Sequence, residues 1–180
     1  MSLFARQGFD GTTVEEIAEA CEVSPRTFFR YFPTKEDVLF ADADARRARL
    51  LAAIAERPAD EAPFVALCAA MRSLVPDYRD DRDALVARAG IVAASPHLEA
   101  YKAEHRHGWE AEVVDALEQR ALAQHSPFDR EPLQLVTAVA TATLRVTLDD
   151  WIAAPGGPDL DVLLDRAFRR LASGFDPGPR

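Results

Sequence analysis

The sequence predicts an all-α fold: an N-terminal helix-turn-helix domain of three helices followed by a helical bundle. Three observations carry this. Ala, Leu, Arg and Glu, all good helix formers, dominate the 180 residues. Gly is scarce, with 8 in the chain, and β-branched residues rarely cluster, which leaves little to build strands from. Apolar residues recur at helical spacing between breaks marked by Pro, Gly-Gly or Ser-Pro. A hydrophobic content of 48% beside 28% charged residues is ordinary for a globular protein, and the length allows one large or two small domains. The expected boundaries are 1–45 for the first domain and 46–180 for the second.

The elements follow in order. Leu3 to Gln7 reads as the end of a helix closed by Gly8, and Asp10-Gly11 as a turn. Thr12 and Thr13 both offer N-caps. Glu15 or Glu16, three residues on, completes a capping box ahead of Val14, Ile17, Ala18 and Cys21. Ser24-Pro25 opens another helix, with Ser24 as cap and Pro25 in the first position. Only Glu22 and Val23 separate the two, which is helix-turn-helix spacing. Pro33 ends the second helix; Thr34 caps the next, with Asp37 at the box position. That helix runs through Val38, Leu39, Ala45, Leu50, Leu51 and Ile54 to about residue 57. Beyond Pro58, helices are expected over 62–75, 81–94, 96–124, 131–153 and 159–174, with breaks at Pro76, Ser95-Pro96, Ser126-Pro127 and Pro155-Gly156-Gly157-Pro158.

No apolar run approaches the roughly 20 residues that span a bilayer. The N-terminus lacks the basic region and apolar run of a secretory signal, so the expected location is cytoplasmic, with no membrane partner. Cys21 and Cys68 sit in stretches of helical apolar spacing and read as small buried hydrophobes rather than a disulfide or metal pair. A formal charge of −9 argues against a chain that coats nucleic acid indiscriminately. It leaves a local basic face open.

Such a face lies between Ser24 and Lys35, which holds Arg26, Arg30 and Lys35 and no acidic residue. On a helix Arg26 and Arg30 share a side with Thr27 and Tyr31, while Phe28 and Phe32 lie on another side and anchor to a core. A recognition helix needs this division, with one face packed and the other offering donors to base edges and phosphates. Tyr31 and Lys35 suit phosphate, and the helix N-terminus at Thr13 offers free amides to another. The plain alternative is a solvated surface helix, and helix-turn-helix spacing alone does not decide between them.

The order of parts does more. The stretches Leu3-Phe-Ala-Arg-Gln-Gly-Phe-Asp-Gly-Thr-Thr-Val-Glu-Glu-Ile-Ala18 and Val23-Ser-Pro-Arg-Thr-Phe-Phe-Arg-Tyr-Phe-Pro-Thr-Lys-Glu36 resemble the start of TetR-family transcriptional regulators over roughly residues 3–45. The Arg-Thr-Phe-Phe-Arg-Tyr-Phe run is also similar to a subgroup that includes regulators associated with mycofactocin gene clusters. The resemblance implies that Thr13, Arg26, Thr27, Phe29, Arg30, Tyr31 and Lys35 face double-stranded operator DNA. It also implies a homodimer through the last two helices and a small-molecule effector. Release of a repressor by that effector is the expected behaviour, with activation left open. Two departures matter. Only a turn and a half of first helix precedes Gly8, so this helix reads as truncated; the apolar backs of Ile17, Val23 and Phe28 would then be exposed. Glu22 stands where the family usually has Gly. A left-handed backbone there costs on the order of 1 kcal/mol.

In the expected bundle, helix 131–153 is apolar nearly all round, which suggests one side in the core and another against a second chain. Thr137, Thr141, Arg145 and Asp149 recur every four residues as a polar stripe. An acid, Asp149 or Asp150 or one across the dimer, is the ordinary partner for Arg145; a ligand carboxylate or phosphate is the functional one. His97, Tyr101, His105 and Trp109 follow one face of helix 96–124, and their spacing does not suit a metal. Tyr101, His105 and Trp109 are instead candidates to line a ligand pocket, with Phe64, Leu67, Met71 and Val86 opposite and Thr141 and Arg145 as polar points. The alternative is an ordinary core face. No cofactor motif, phosphate loop or nucleophile beside a His–acid pair is present, so an enzyme is not expected. The rival reading is a helical dimeric ligand-binding or scaffold protein that no longer binds DNA.

Overall fold

Most of the described helices begin where the sequence supplies a side-chain acceptor for their free first-turn amides, or a Pro that needs none. The computed structural model describes residues 2–58, 60–123 and 129–174, and only the backbone of Ser2 and 105–107. These residues form α1 (Ser2–Gln7), α2 (Val14–Ala20), α3 (Pro25–Tyr31), α4 (Lys35–Ala55), α5 (Pro63–Ser73), α6 (Val75–Asp80), α7 (Arg82–Ala93), α8 (Pro96–Ala123), α9 (Arg130–Ala153) and α10 (Leu160–Ala172). No strand occurs among them.

Thr13, not Thr12, caps α2: its hydroxyl accepts from the Glu16 amide at 3.2 Å, and the Glu16 carboxylate accepts from the Thr13 amide at 2.8 Å. Thr12 is buried and donates to the Gly8 carbonyl at 2.7 Å. Ser24 caps α3 through the Thr27 amide at 3.1 Å. At the head of α4 the Thr34 hydroxyl accepts from the Asp37 amide at 3.2 Å, and Asp37 Oδ2 accepts from the Thr34 amide at 2.7 Å. Gly8 (φ 77°) closes α1 in the left-handed region. Gly11 is required for another reason, since a Cβ there would stand 2.6 Å from the Gln7 carbonyl oxygen.

Two expectations change. The break expected at Pro76 falls at Leu74, between α5 and α6. Residues 76–80, expected outside a helix, belong to α6, and Pro76 sits second in it, a first-turn position where its missing N–H leaves nothing unpaired. Cys21 is exposed, while Cys68 is buried as expected. Cys21 caps the C-terminus of α2, so the helical periodicity no longer carries it inward.

The chain divides into two compact units, residues 1–45 with 81–106 and residues 46–80 with 107–180. The segment 81–106, expected in the bundle, groups with the N-terminal helices because Val92 of α7 and Leu98 of α8 share a core with Phe4, Phe9, Ile17, Ala18, Phe28 and Leu39. That core corrects the exposure expected from the short first helix: Ile17 and Phe28 are 7% and 4% exposed, and only Val23 stays open. In the second unit α9 packs on α5 and α10, and α10 also packs on α5 and α6. Leu133, Ala140 and Leu144 of α9 and Leu160, Leu164 and Phe168 of α10 are buried. Ion pairs edge this unit: Arg72 reaches Asp165 at 3.0 Å, and Arg47 reaches Glu112 at 2.9 Å.

Candidate nucleic-acid interface

The short helix α3 is built in two halves. Inward, Phe28 is buried and meets Phe32 at 5.6 Å between ring centroids. Outward, Phe29 is 51% and Tyr31 67% exposed. Arg26 and Arg30 are exposed beside them, and neither forms an ion pair with a described residue. The Arg30 guanidinium lies 4.9 Å from the Tyr31 ring centroid and donates to its hydroxyl at 3.3 Å, which holds both side chains on one side. Thr27, half-buried, shares a hydroxyl hydrogen bond with Ser24 at 3.0 Å.

The turn before α3 places Glu22 at φ 56°, in the left-handed region where Gly is the usual residue. The Val23 amide then donates back to the Ala18 carbonyl at 2.9 Å, and the chain reverses within the two residues available. Thr13 is exposed at the head of α2. Its own amide, followed by its hydroxyl, holds the Glu16 carboxyl below the usual range, so this cap is charged at neutral pH.

Lys35 is placed differently from the others. Its Nζ donates to the Phe9 carbonyl at 2.8 Å and the Thr12 carbonyl at 2.9 Å, and sits 4.2 Å from the Phe9 ring centroid. Two contacts next to Lys35 in sequence had no local signal. Asp37 gives its second oxygen, Oδ1, to the Tyr101 hydroxyl at 2.7 Å, and Glu36 meets His97 Nε2 at 2.7 Å. Burial and then the Asp37 carboxylate push the Tyr101 phenol up to about 12. Burial works to raise the Glu36 carboxyl, but His97, the backbone and Lys35 together hold it below its ordinary value.

The residues expected to line a ligand pocket are not gathered within either unit. Val86 and Tyr101 belong to the first unit, the rest of the described set to the second. Val86 is 41% exposed; Tyr101 stacks on Phe40 and is engaged by Asp37. Leu67 and Met71 are wholly buried, Phe64 and Trp109 half-buried. Thr141 donates to the Glu110 carboxylate at 2.9 Å, a partner the sequence did not reveal. Arg145 is exposed and pairs with Asp149 at 3.6 Å. The side chain of His105 lies outside the described residues. The second unit carries an open groove of about 670 Å³ lined by other residues, Leu51, Ala55, Arg57, Ala116, Gln119 and Arg120 among them.

A capped helix pair with a tight turn, an anchored second helix and an outward basic and aromatic side defines a helix-turn-helix protein. Residues 1–41 match the profile of bacterial regulatory proteins of the tetR family, and residues 61–176 match the MftR C-terminal domain. The HTH-type transcriptional regulator TcmR of Streptomyces glaucescens is 36% identical over 160 residues, covering 84% of this chain and 69% of TcmR. The putative mycofactocin biosynthesis transcriptional regulator MftR of Mycobacterium tuberculosis is 24% identical over 98% of this chain and 87% of its own length. Among solved structures, the Thermus thermophilus FadR, a TetR-family transcriptional repressor in complex with lauroyl-CoA, superposes with a TM-score of 0.61 at 24% identity. It covers 100% of this chain and 95% of its own. The chain belongs to the TetR family of DNA-binding transcriptional regulators.

Proposed function

We propose that this regulator is a homodimeric repressor that docks α3 in the major groove of a palindromic operator and is released by a small-molecule effector. The observation that carries the reading is the outward side of α3, where exposed Phe29 and Tyr31 stand among Arg26 and Arg30 with no acid from Ser24 to Lys35. Arg26 and Arg30 supply donors to guanine edges and phosphates, Thr27 and Phe29 contact bases, and Tyr31 and Thr13, the latter exposed at the head of α2, face phosphates. Dimerisation through α9 and α10 is supported by an exposed apolar stripe on α9. Leu135, Val139, Ala142 and Val146 follow at the spacing of a helix–helix seam. Val162 adds exposed apolar surface on α10. A two-fold dimer sets its recognition helices about 34 Å apart, one turn of DNA, and a ligand that favours another spacing lowers affinity.

The test is fluorescence anisotropy against DNA from upstream of the protein's own gene and against random DNA, over a range of salt. Preference for the upstream DNA that weakens steeply with salt supports the reading. Equal and weak binding to both overturns it in favour of a helical binding protein without operator affinity. Release of bound DNA by lauroyl-CoA, the ligand in the FadR complex, is the first effector trial. In light scattering, Val139→Asp is expected to halve the mass of the wild-type particle.

A further inference from the structure

Between Arg26 and Tyr31, Phe29 is the one exposed side chain without a hydrogen-bonding atom. It lies three residues after Arg26 and one before Arg30, so the three project from one side of α3. The ring is braced from behind. It meets the buried Phe28 ring edge-on, with centroids 5.4 Å apart and planes at 88°. The Arg30 guanidinium lies over Tyr31, and Phe29 keeps 51% of its surface open. A half-exposed ring is common on protein surfaces and alone says nothing. This one is held at the centre of the side that offers donors to DNA. Phosphates and nearly all base-edge groups in the major groove are hydrogen-bonding groups that a phenyl ring does not answer. The apolar exception is the C5 methyl of thymine.

We infer that Phe29 reads thymine: its ring covers the C5 methyl of one thymine in each half-site and sets the base preferred there. This assignment rests on the operator-binding reading above and deepens it by naming a base and the group on it that is recognised. Cytosine in that place would turn an N4 amino hydrogen toward the phenyl and leave the donor without a partner.

Uracil in place of thymine deletes the methyl and keeps the pairing and every hydrogen-bonding group. Upstream DNA made with uracil throughout therefore tests the contact without knowledge of which thymine is read. In anisotropy the wild type is expected to lose about fourfold for each methyl covered, hence about fifteenfold over two half-sites. 5-Bromouracil returns an apolar group of similar size at C5 and is expected to restore most of that loss. Phe29→Ala is expected to bind thymine and uracil DNA alike, and Phe29→Leu to keep part of the discrimination. Thr27→Ser removes the neighbouring side-chain methyl and is expected to keep the full uracil loss.

The wild-type measurements need no variant to fold. A wild-type loss below about twofold on uracil DNA overturns the assignment and leaves the operator reading standing. A uracil loss that persists in Phe29→Ala, or vanishes in Thr27→Ser, also overturns it, because the methyl is then read by another side chain. A wild type that does not prefer the upstream DNA over random DNA ends the operator reading and this assignment together.

Discussion

The helix pair α2–α3 and the helix pair α9–α10 are held by different physics. The first two are seven residues each, too short to persist alone, and their stability comes from their ends. Thr13 and Ser24 satisfy first-turn amides, and α3 buries a single side chain, Phe28. α9 runs 24 residues and its N-cap, Asp129, makes no side-chain cap bond. It is held along its length, by Leu133, Ala140, Leu144 and Trp151 against α5 and α10. End chemistry governs short helices, and the buried stripe governs long ones. A recognition helix must leave most of its surface open, so it belongs with the first kind.

Substitutions test that contrast, the largest effect first. Leu164→Ala, at a wholly buried position of α10, is expected to cost about 2–5 kcal/mol in urea unfolding. A loss below about 1 kcal/mol, the scale of a surface change, breaks the account of the second unit. Gly11→Ala drives a Cβ against the rigid Gln7 carbonyl and is expected to cost about 1–3 kcal/mol, although the residue is exposed. Thr13→Ala removes a used cap and is expected to cost about 1 kcal/mol, whereas Asp129→Ala removes an unused one and should stay within about 0.5 kcal/mol. Equal costs for these two caps erase the contrast.

The alkaline limb sharpens it from another side. The Tyr101 phenol is raised from 10.0 to about 12 in the folded protein. Its contribution to stability is therefore complete below pH 10 and is lost as pH climbs from 10 through about 12. Phenolate absorbance should show a late step from Tyr101, and Tyr101→Phe should remove it.

Much of the N-terminal half was legible because its signals are local. Thr13 with Glu16, Ser24 with Pro25 and Thr34 with Asp37 lie within four residues of one another, and each box names a helix start. Periodicity likewise fixed α9 and α10 to within two residues at each end. What stayed hidden joins residues far apart in sequence. Tyr101 to Asp37, His97 to Glu36 and Thr141 to Glu110 are side-chain meetings that no spacing rule announces. The expected ligand set was drawn from amphipathic faces of four helices, and facing inward does not specify a shared cavity. Leu67 and Met71 are simply core.

Asp37 shows what such a meeting implies for mutational tolerance. One carboxylate serves two tasks, since Oδ2 caps α4 at Thr34 while Oδ1 accepts the hydrogen bond of the Tyr101 hydroxyl. An amide at this position would offer one acceptor oxygen where two are used, and would turn an N–H toward a donor. A longer acid would carry both oxygens past the cap. Position 37 should therefore reject its two nearest chemical neighbours, Asn and Glu, nearly as firmly as Ala, and a saturation scan would find there a site with almost no permitted drift.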